Sequence, residues 1–421
     1  MNNLLSKRKG LLLFVLYVSP LCVFLQCLFF ATSNVYAACY IAFASFILLK
    51  SGLRRTNDVP FILGLFLTLM LVLISFAGIW LSVIQTLLLI FFLYSKTSQD
   101  LFGIKASSTI ILVVGTICAI SCIIEILNFP LYVAVILPYF KTEEAEAMQK
   151  LSLSGGMCGI MPQTSHAAGA ILNAFYVLVV LKSSSISKKW RILLSILLVV
   201  GLFLTAKRAH LFFGISVWLF SYIIISSNRK RLKNFLVIAI IVAVSIPILT
   251  YIAPKLGENN VLSEIIFSFQ NMSSDKEDVM HGRDYLYEMA WEKIEKDPFI
   301  GQGWGSFKKT VDYHGSATDV HNVYLQLWAE SGIFMLILYV IMLLSLIVKT
   351  VRLTRFYGTL GEKYKIIVDL LRFSFCVQGF FIMYSFTGNC LYNIDFFSMY
   401  LLAVSIMLAA NKKRSLIAIN R

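Results

Sequence analysis

His321 sits in the stretch DVHNVYLQLWAESG at 319–332, immediately before the apolar run IFMLILYVIMLLSLIV. An imidazole changes charge near neutral pH, so at such a junction it can take a proton from a hydroxyl group. A histidine at a helix end is equally an ordinary boundary residue, and residue type alone does not separate the two readings. Asp319 and Asn322 lie close enough in sequence to orient the ring. Glu330 follows nine residues later. On a straight helix rising roughly 1.5 Å per residue that is about 13 Å away, too far for a direct partner.

Two further segments carry cations suited to holding an anion. TAKRAH at 205–210 sets Lys207 and Arg208 in a short turn between apolar runs, with His210 beside them. Such side chains also snorkel to lipid phosphates, so a headgroup competes with a substrate as their partner. In HGRDYLYEMAWEKIEKDPFIGQGWGSF at 281–307, Leu286, Met289, Ala290 and Ile294 recur at helical spacing. Asp284 is the expected N-cap, and Asp297-Pro298 the expected end. Arg283 then opens a helix, where free N–H groups favour an anion and a guanidinium adds a bidentate grip on phosphate. Pairing with Asp284 or a headgroup is the alternative. Tyr285, Tyr287 and Trp291 suit a helix lying at the membrane surface. Glycines 301, 303 and 305 predict a flexible turn, without the strand–helix context of a nucleotide loop.

The scaffold that must position these residues is read from composition. The chain has 421 residues, 58% of them hydrophobic and 14% charged, which excludes an ordinary soluble domain. Apolar runs fall at 11–31, 35–49, 61–78, 80–95, 108–127, 164–181, 190–206, 209–226, 234–252, 322–348, 366–386 and 392–411. Each is about the length that crosses a bilayer. Only helices satisfy every backbone group within one segment in lipid. An all-α polytopic membrane protein of about 12 transmembrane helices follows. With KRK at 7–9 placed in the cytoplasm, 25 of the 37 basic residues fall inside and 11 outside, so both termini are expected to be cytoplasmic. The net charge of +15 is then mostly topology, and nucleic acid is not an implied partner.

This topology divides the chain into N-terminal helices (1–127), an external loop (128–163), central helices (164–252), a large external loop (253–321), C-terminal helices (322–411) and a cytoplasmic tail (412–421). Eighteen of the 22 acidic residues lie outside or at outer span ends, concentrated in the two long loops. Long polar loops tend to carry function. The eight cysteines have no metal-ligand spacing, and no metal or cofactor is predicted. Cys158 and Cys390 both fall outside, where a bridge between them is one option. No two halves of the chain are alike, which weighs against a solute transporter or flippase.

Taken together, GRDYLYEMAWEKIEKDPFIGQGWGSF followed by VHNVYLQLWAESGIF resembles the signature region of the O-antigen ligase and polysaccharide polymerase family. TAKRAH is similar to that family's short outer turn, and GIMPQTSHAAGAI to the stretch opening a middle span. The resemblance covers roughly residues 155–345, with departures at Lys207, where a small hydroxyl residue is usual, and at Met335. It implies a GT-C-like membrane glycosyltransferase whose donor is an oligosaccharide on undecaprenyl diphosphate, presented at the outer face of the bacterial cytoplasmic (inner) membrane. His321 is then the implied base for a sugar acceptor, with Arg208, Arg283 and Lys207 holding the diphosphate. His166, Gln163, Asn322 and Asp319 are candidates to line or orient the site. A repeat-unit polymerase and a ligase acting on lipid A–core or another terminal acceptor both remain open. A flippase and a chain-length regulator are the implied accessory partners.

Overall fold

The computed structural model describes residues 101–181, 186–225, 283–313 and 316–419. The expected spans at 11–31, 35–49, 61–78, 80–95 and 234–252 lie outside the described residues, as do residues 253–282 of the large loop. Within them the chain is helical: α1 Leu101–Leu127, α2 Phe129–Val135, α3 Thr142–Leu153, α4 Thr164–Val180, α5 Lys188–Leu204 and α6 Arg208–Ile225. Then come α7 Arg283–Lys296, α8 Ser306–Thr310, α9 Val323–Gly358, α10 Lys365–Tyr384 and α11 Ile394–Ile419. One two-residue antiparallel pair, Asp312–Tyr313 with Ser316–Ala317, interrupts them. Four segments are long and apolar enough to cross a membrane: Ser108–Leu127, Val323–Gly358, Glu362–Tyr384 and Ile394–Ile417. Thr164–Val180 and Arg208–Ile224 are apolar but shorter.

The packing is centred on α4 and α10, which bury residues around most of their circumference. Helix α4 lies among α1, α5 and α10, while α10 is flanked by α6, α9 and α11. Close approach depends on small residues, as expected where lipid supplies no hydrophobic drive between helices. At Gly115 of α1 an added Cβ would lie 2.4 Å from the Ala174 Cβ and 2.5 Å from the Ala170 carbonyl oxygen of α4. At one end of the bundle, Arg355 donates to the Ile224 carbonyl oxygen and Arg414 lies over the Phe356 ring. The C-terminal ends of α1, α5 and α10 and the N-terminal ends of α4, α6, α9 and α11 form the other end.

The segment 128–163, expected as a loop, is largely helical, with α2, a short 3-10 turn at Leu137–Tyr139 and α3. Buried Glu125, near the end of α1, anchors it. Its carboxylate accepts from the Cys158 N–H at 3.0 Å, the Gly159 N–H at 2.6 Å and the Ser152 hydroxyl. Cys158 and Cys390 are buried free thiols, so no bridge joins them. Helix α7 begins at Arg283, which puts Asp284 within the first turn rather than at the N-cap. Its apolar face packs on protein. Leu286 and Ala290 pack with Phe307, Val311 and Val320, leaving Tyr285 and Trp291 exposed.

Helix α9 is broken at Gly332, whose φ of 76° and ψ of 171° lie outside any helix. The break leaves backbone groups that a continuous helix would pair, and the turn at 298–303 takes them up. Gln302 and Gly303 donate their N–H groups to the carbonyls of Ala329 and Glu330 at 3.1 and 2.8 Å. Ile333 donates to the Pro298 carbonyl at 2.9 Å. The expected flexible glycine turn is thus a fixed one, with Gly301, Gly303 and Gly305 all at positive φ. At Gly332 an added Cβ would lie 1.9 Å from the Phe299 carbonyl oxygen. Gly332→Ala is therefore expected to cost on the order of 2 kcal/mol or more, through strain at positive φ and a backbone clash. Thermal unfolding of the detergent-solubilised protein measures it; an unchanged midpoint would remove the crossing from the account.

Candidate functional site

A cavity of about 740 Å³ opens at the end of the bundle formed by the first turns of α4, α6 and α9. It is bounded by α3, by the 162–166 and 206–210 segments, by Arg283, by Lys308 and the 318–321 segment, and by the 384–393 turn. His321, Arg208, Arg283, Lys207, His166, Asp319 and Gln163, which span more than 150 residues of sequence, all line it. Asn322 does not. It caps α9 instead, its side-chain oxygen accepting from the Tyr324 and Leu325 N–H groups at 3.0 and 3.2 Å.

The cap explains where His321 stands. Asn322 fixes the first turn of α9, and the residue before it leaves the helix with φ of 59°. Among the described residues only Ala206 shares a positive φ without being glycine, at 55°. Both lie on the cavity, Ala206 directly before Lys207. Side-chain-bearing residues avoid this conformation unless surrounding contacts impose it, and such outliers gather at functional sites. Asp319 does not hydrogen-bond the ring. It accepts from Gln326 Nε2 at 2.9 Å and lies 3.7 Å from Lys308 Nζ. The partner of His321 is Asn389, whose amide nitrogen lies 3.4 Å from Nδ1. Asn389 belongs to the tight 385–393 turn, where Tyr392 and Asn393 donate to its backbone carbonyl. It had no signal in the sequence, being one polar residue in a turn between apolar runs.

Electrostatics give the site its character. Neither Lys207 nor Arg208 has a hydrogen-bond or carboxylate partner among the described residues, and Arg283 reaches only the Thr387 carbonyl oxygen, at 3.4 Å. Burial and the neighbouring Arg283 cation push the Lys207 ammonium below its usual range. Burial, followed by the Arg283 cation, lowers the His321 pKa to about 4, against an opposing effect of Asp319. Lys207 and Lys308 act in the same direction as Arg283. His321 is consequently a neutral imidazole at pH 7, with one ring nitrogen unprotonated. The arrangement can bind a multiply charged anion beside an uncharged base.

His166 and His210 stand differently. His166 Nδ1 is 2.6 Å from Asp395 Oδ2, both side chains 11% exposed. His210 is buried against Phe380, Tyr384 and Phe396, with no hydrogen-bond partner on either ring nitrogen among the described residues. Glu330 makes no contact with His321. It is fully buried and accepts from the Gly305 and Phe307 N–H groups at 2.9 and 3.2 Å and from the Tyr392 hydroxyl at 2.8 Å.

Residues 193–340 match the family model described as O-antigen ligase. This stretch holds α6, α7 and the broken first part of α9, and with them Lys207, Arg208, Arg283 and His321. No curated protein matches the chain.

The cations' hold on His321 is directly measurable. Lys207→Met removes one of them, so the imidazole pKa is expected to move upward from about 4 toward 6.5. An NMR titration of labelled histidine in the detergent-solubilised protein follows it. A downward shift or none would mean that the Lys207 charge is not felt at the ring.

Proposed function

We propose, from the premise that this is an O-antigen ligase/polymerase family protein, that it transfers glycan from undecaprenyl diphosphate to a sugar hydroxyl. The family implies a membrane glycosyltransferase-like activity on a lipid-linked glycan. The repeat-unit polymerase is our reading of it. The observation that carries the proposal is the convergence on a single cavity at a helix-bundle end of one neutral histidine and three cations that lack carboxylate partners among the described residues.

In the proposed reaction Arg208, Arg283 and Lys207 bind the diphosphate. His321 accepts the proton of the acceptor hydroxyl as its oxygen forms a bond to the anomeric carbon. The bond from that carbon to the diphosphate oxygen breaks, and the departing lipid diphosphate keeps the electron pair. Fixed cations aimed where negative charge develops are the usual large contribution in such reactions. The chemistry requires no electron transfer, and the carbohydrate arrives already activated on its diphosphate. The proposed setting is the inner membrane, with both termini cytoplasmic and the cavity on the outer face. The basic residues of the opposite bundle end, including Lys188, Lys189, Arg191 and Lys412–Arg414, favour that orientation. A flippase delivering the donor and a regulator of chain length are the partners such a reaction would have. The matched family description favours a second reading, single transfer onto a terminal acceptor such as lipid A–core.

Purified protein given a lipid-diphosphate-linked repeat unit tests these readings by product length. A ladder is expected of the polymerase. A single addition that needs a separate core acceptor would replace it with the ligase, and movement of substrate without a new glycosidic bond would exclude both. His321→Ala is expected to abolish transfer in protein that still folds. Arg208→Ala and Arg283→Ala are each expected to lower kcat about 100-fold or more, from loss of a charge-stabilising donor. A chelator is expected to leave the rate unchanged. Because His321 titrates near pH 4 in the free protein, kcat/KM should hold from pH 7 to 5 and fall only as pH approaches 4. An acid limb near pH 6.5 would assign the base to another group.

A further inference from the structure

The cavity holds a second imidazole that the proposed reaction leaves unused. His166 occupies the first turn of α4, and its Nδ1 lies 2.6 Å from Asp395 Oδ2 in the first turn of α11. At that separation the Nδ1–H donates to the carboxylate, which leaves Nε2 as the ring nitrogen available to a ligand. The ring is held in place. Phe396 stacks against it, with centroids 6.1 Å apart and planes at 30°. Phe396 also abuts Gly169, where an added Cβ would lie 2.7 Å from the ring. The carboxylate and this packing hold the ring, and with it Nε2, in one orientation.

Gln163, Thr164 and Ser165 precede or flank His166, and Asn393 and Glu144 line the same cavity. Those five residues offer amides, hydroxyls and one carboxylate. They include neither lysine nor arginine. A diphosphate finds its partners at Lys207, Arg208 and Arg283 instead. Sugar hydroxyls both donate and accept, and neutral groups of mixed character beside a carboxylate match that pattern.

Resting on the reaction proposed above, we infer that His166 and Asp395 form the acceptor-glycan subsite. His166 Nε2 hydrogen-bonds a hydroxyl of the incoming glycan, and Asp395 holds the ring in place for it. The pair positions the acceptor and takes no proton from it; that role stays with His321. Its chemical class of ligand is a neutral or hydroxyl-rich oligosaccharide face, distinct from the anionic donor head.

The test uses the full-length protein in lipid nanodiscs, with a lipid-diphosphate-linked repeat unit as donor and a soluble repeat-unit oligosaccharide titrated as acceptor. His166→Ala and Asp395→Asn are each expected to raise the acceptor KM tenfold or more, while the donor KM stays within twofold. His166→Gln, which restores a hydrogen-bonding group, is expected to recover part of the loss. Gln163→Ala lies on the exposed rim, where folding is not at stake, and is expected to raise the acceptor KM severalfold. A rise in donor KM with acceptor KM unchanged would overturn the assignment, as would no change in either constant. Equal loss from His166→Gln and His166→Ala would likewise reduce the pair to packing. If the unaltered protein forms no glycosidic bond at all, the reaction itself fails, and that outcome is separate from these.

Discussion

The buried Glu330 carboxylate holds together the part of the molecule on which everything at the cavity rests. It sits two residues before the break in α9 and receives two N–H groups of the 305–307 segment, the Tyr392 hydroxyl and a Gln326 amide. Removing its carboxyl group would leave all of those donors unsatisfied. Through Gln326 the network also reaches the Val320 N–H and Asp319, immediately before His321. Through Tyr392 it reaches the turn that carries Asn389. One carboxylate thereby ties the glycine turn, the approach to His321 and the turn behind it into one rigid unit. Glu125 performs the corresponding task at the other rim, holding the 158–159 backbone that leads to Gln163 and His166.

The break at Gly332 follows from the same constraint. Irregular backbone within an apolar helix is tolerated only where protein groups satisfy it. The 298–303 turn does so by supplying N–H groups to the carbonyls of Ala329 and Glu330 and a carbonyl to the Ile333 N–H. In return it gains a fixed path from α7 to α8, and Arg283 at the head of α7 is thereby placed beside the cavity. Glycine at 301 and 332 permits the two backbones to touch. The apolar face of α7, buried on Phe307 and Val320, finishes the attachment.

Much of this was readable in advance, and the reasons for the failures are physical. Long apolar runs announce helices because lipid leaves the backbone no alternative, so the elements at 164–181, 190–206 and 366–386 were legible to within a few residues, while the helix expected at 392–411 runs on to Ile419. The cationic turn at 205–210 was legible because it violates the expected charge distribution. Glu330 was rightly set aside as a partner of His321, but its own role was illegible, because it lies in contacts made sideways to a turn 25 residues earlier. Asn389 and Asp395 were illegible for a related reason. Each acts on a histidine more than 60 residues away in sequence, and no local pattern encodes such pairing. The flexible glycine turn was misread because positive φ was taken as freedom, whereas here it is required by close contact.

The charge distribution also suggests how the substrate would prepare its own reaction. In the free protein, Arg283, Lys207 and Lys308 all disfavour a proton on His321, and Arg283 and Lys207 disfavour one another. A bound diphosphate would offset those cations, relieving their mutual repulsion and lifting the imidazole pKa from about 4 toward the range in which it is an effective base. Without donor, the ring is neutral but a weak base; with donor, the same ring has the greater affinity for a proton. Proton abstraction from an acceptor, or from a stray water, would then be favoured only once a leaving group is in place. On the proposed reading these cations would serve two purposes, gripping the diphosphate and keeping the histidine quiescent until it arrives.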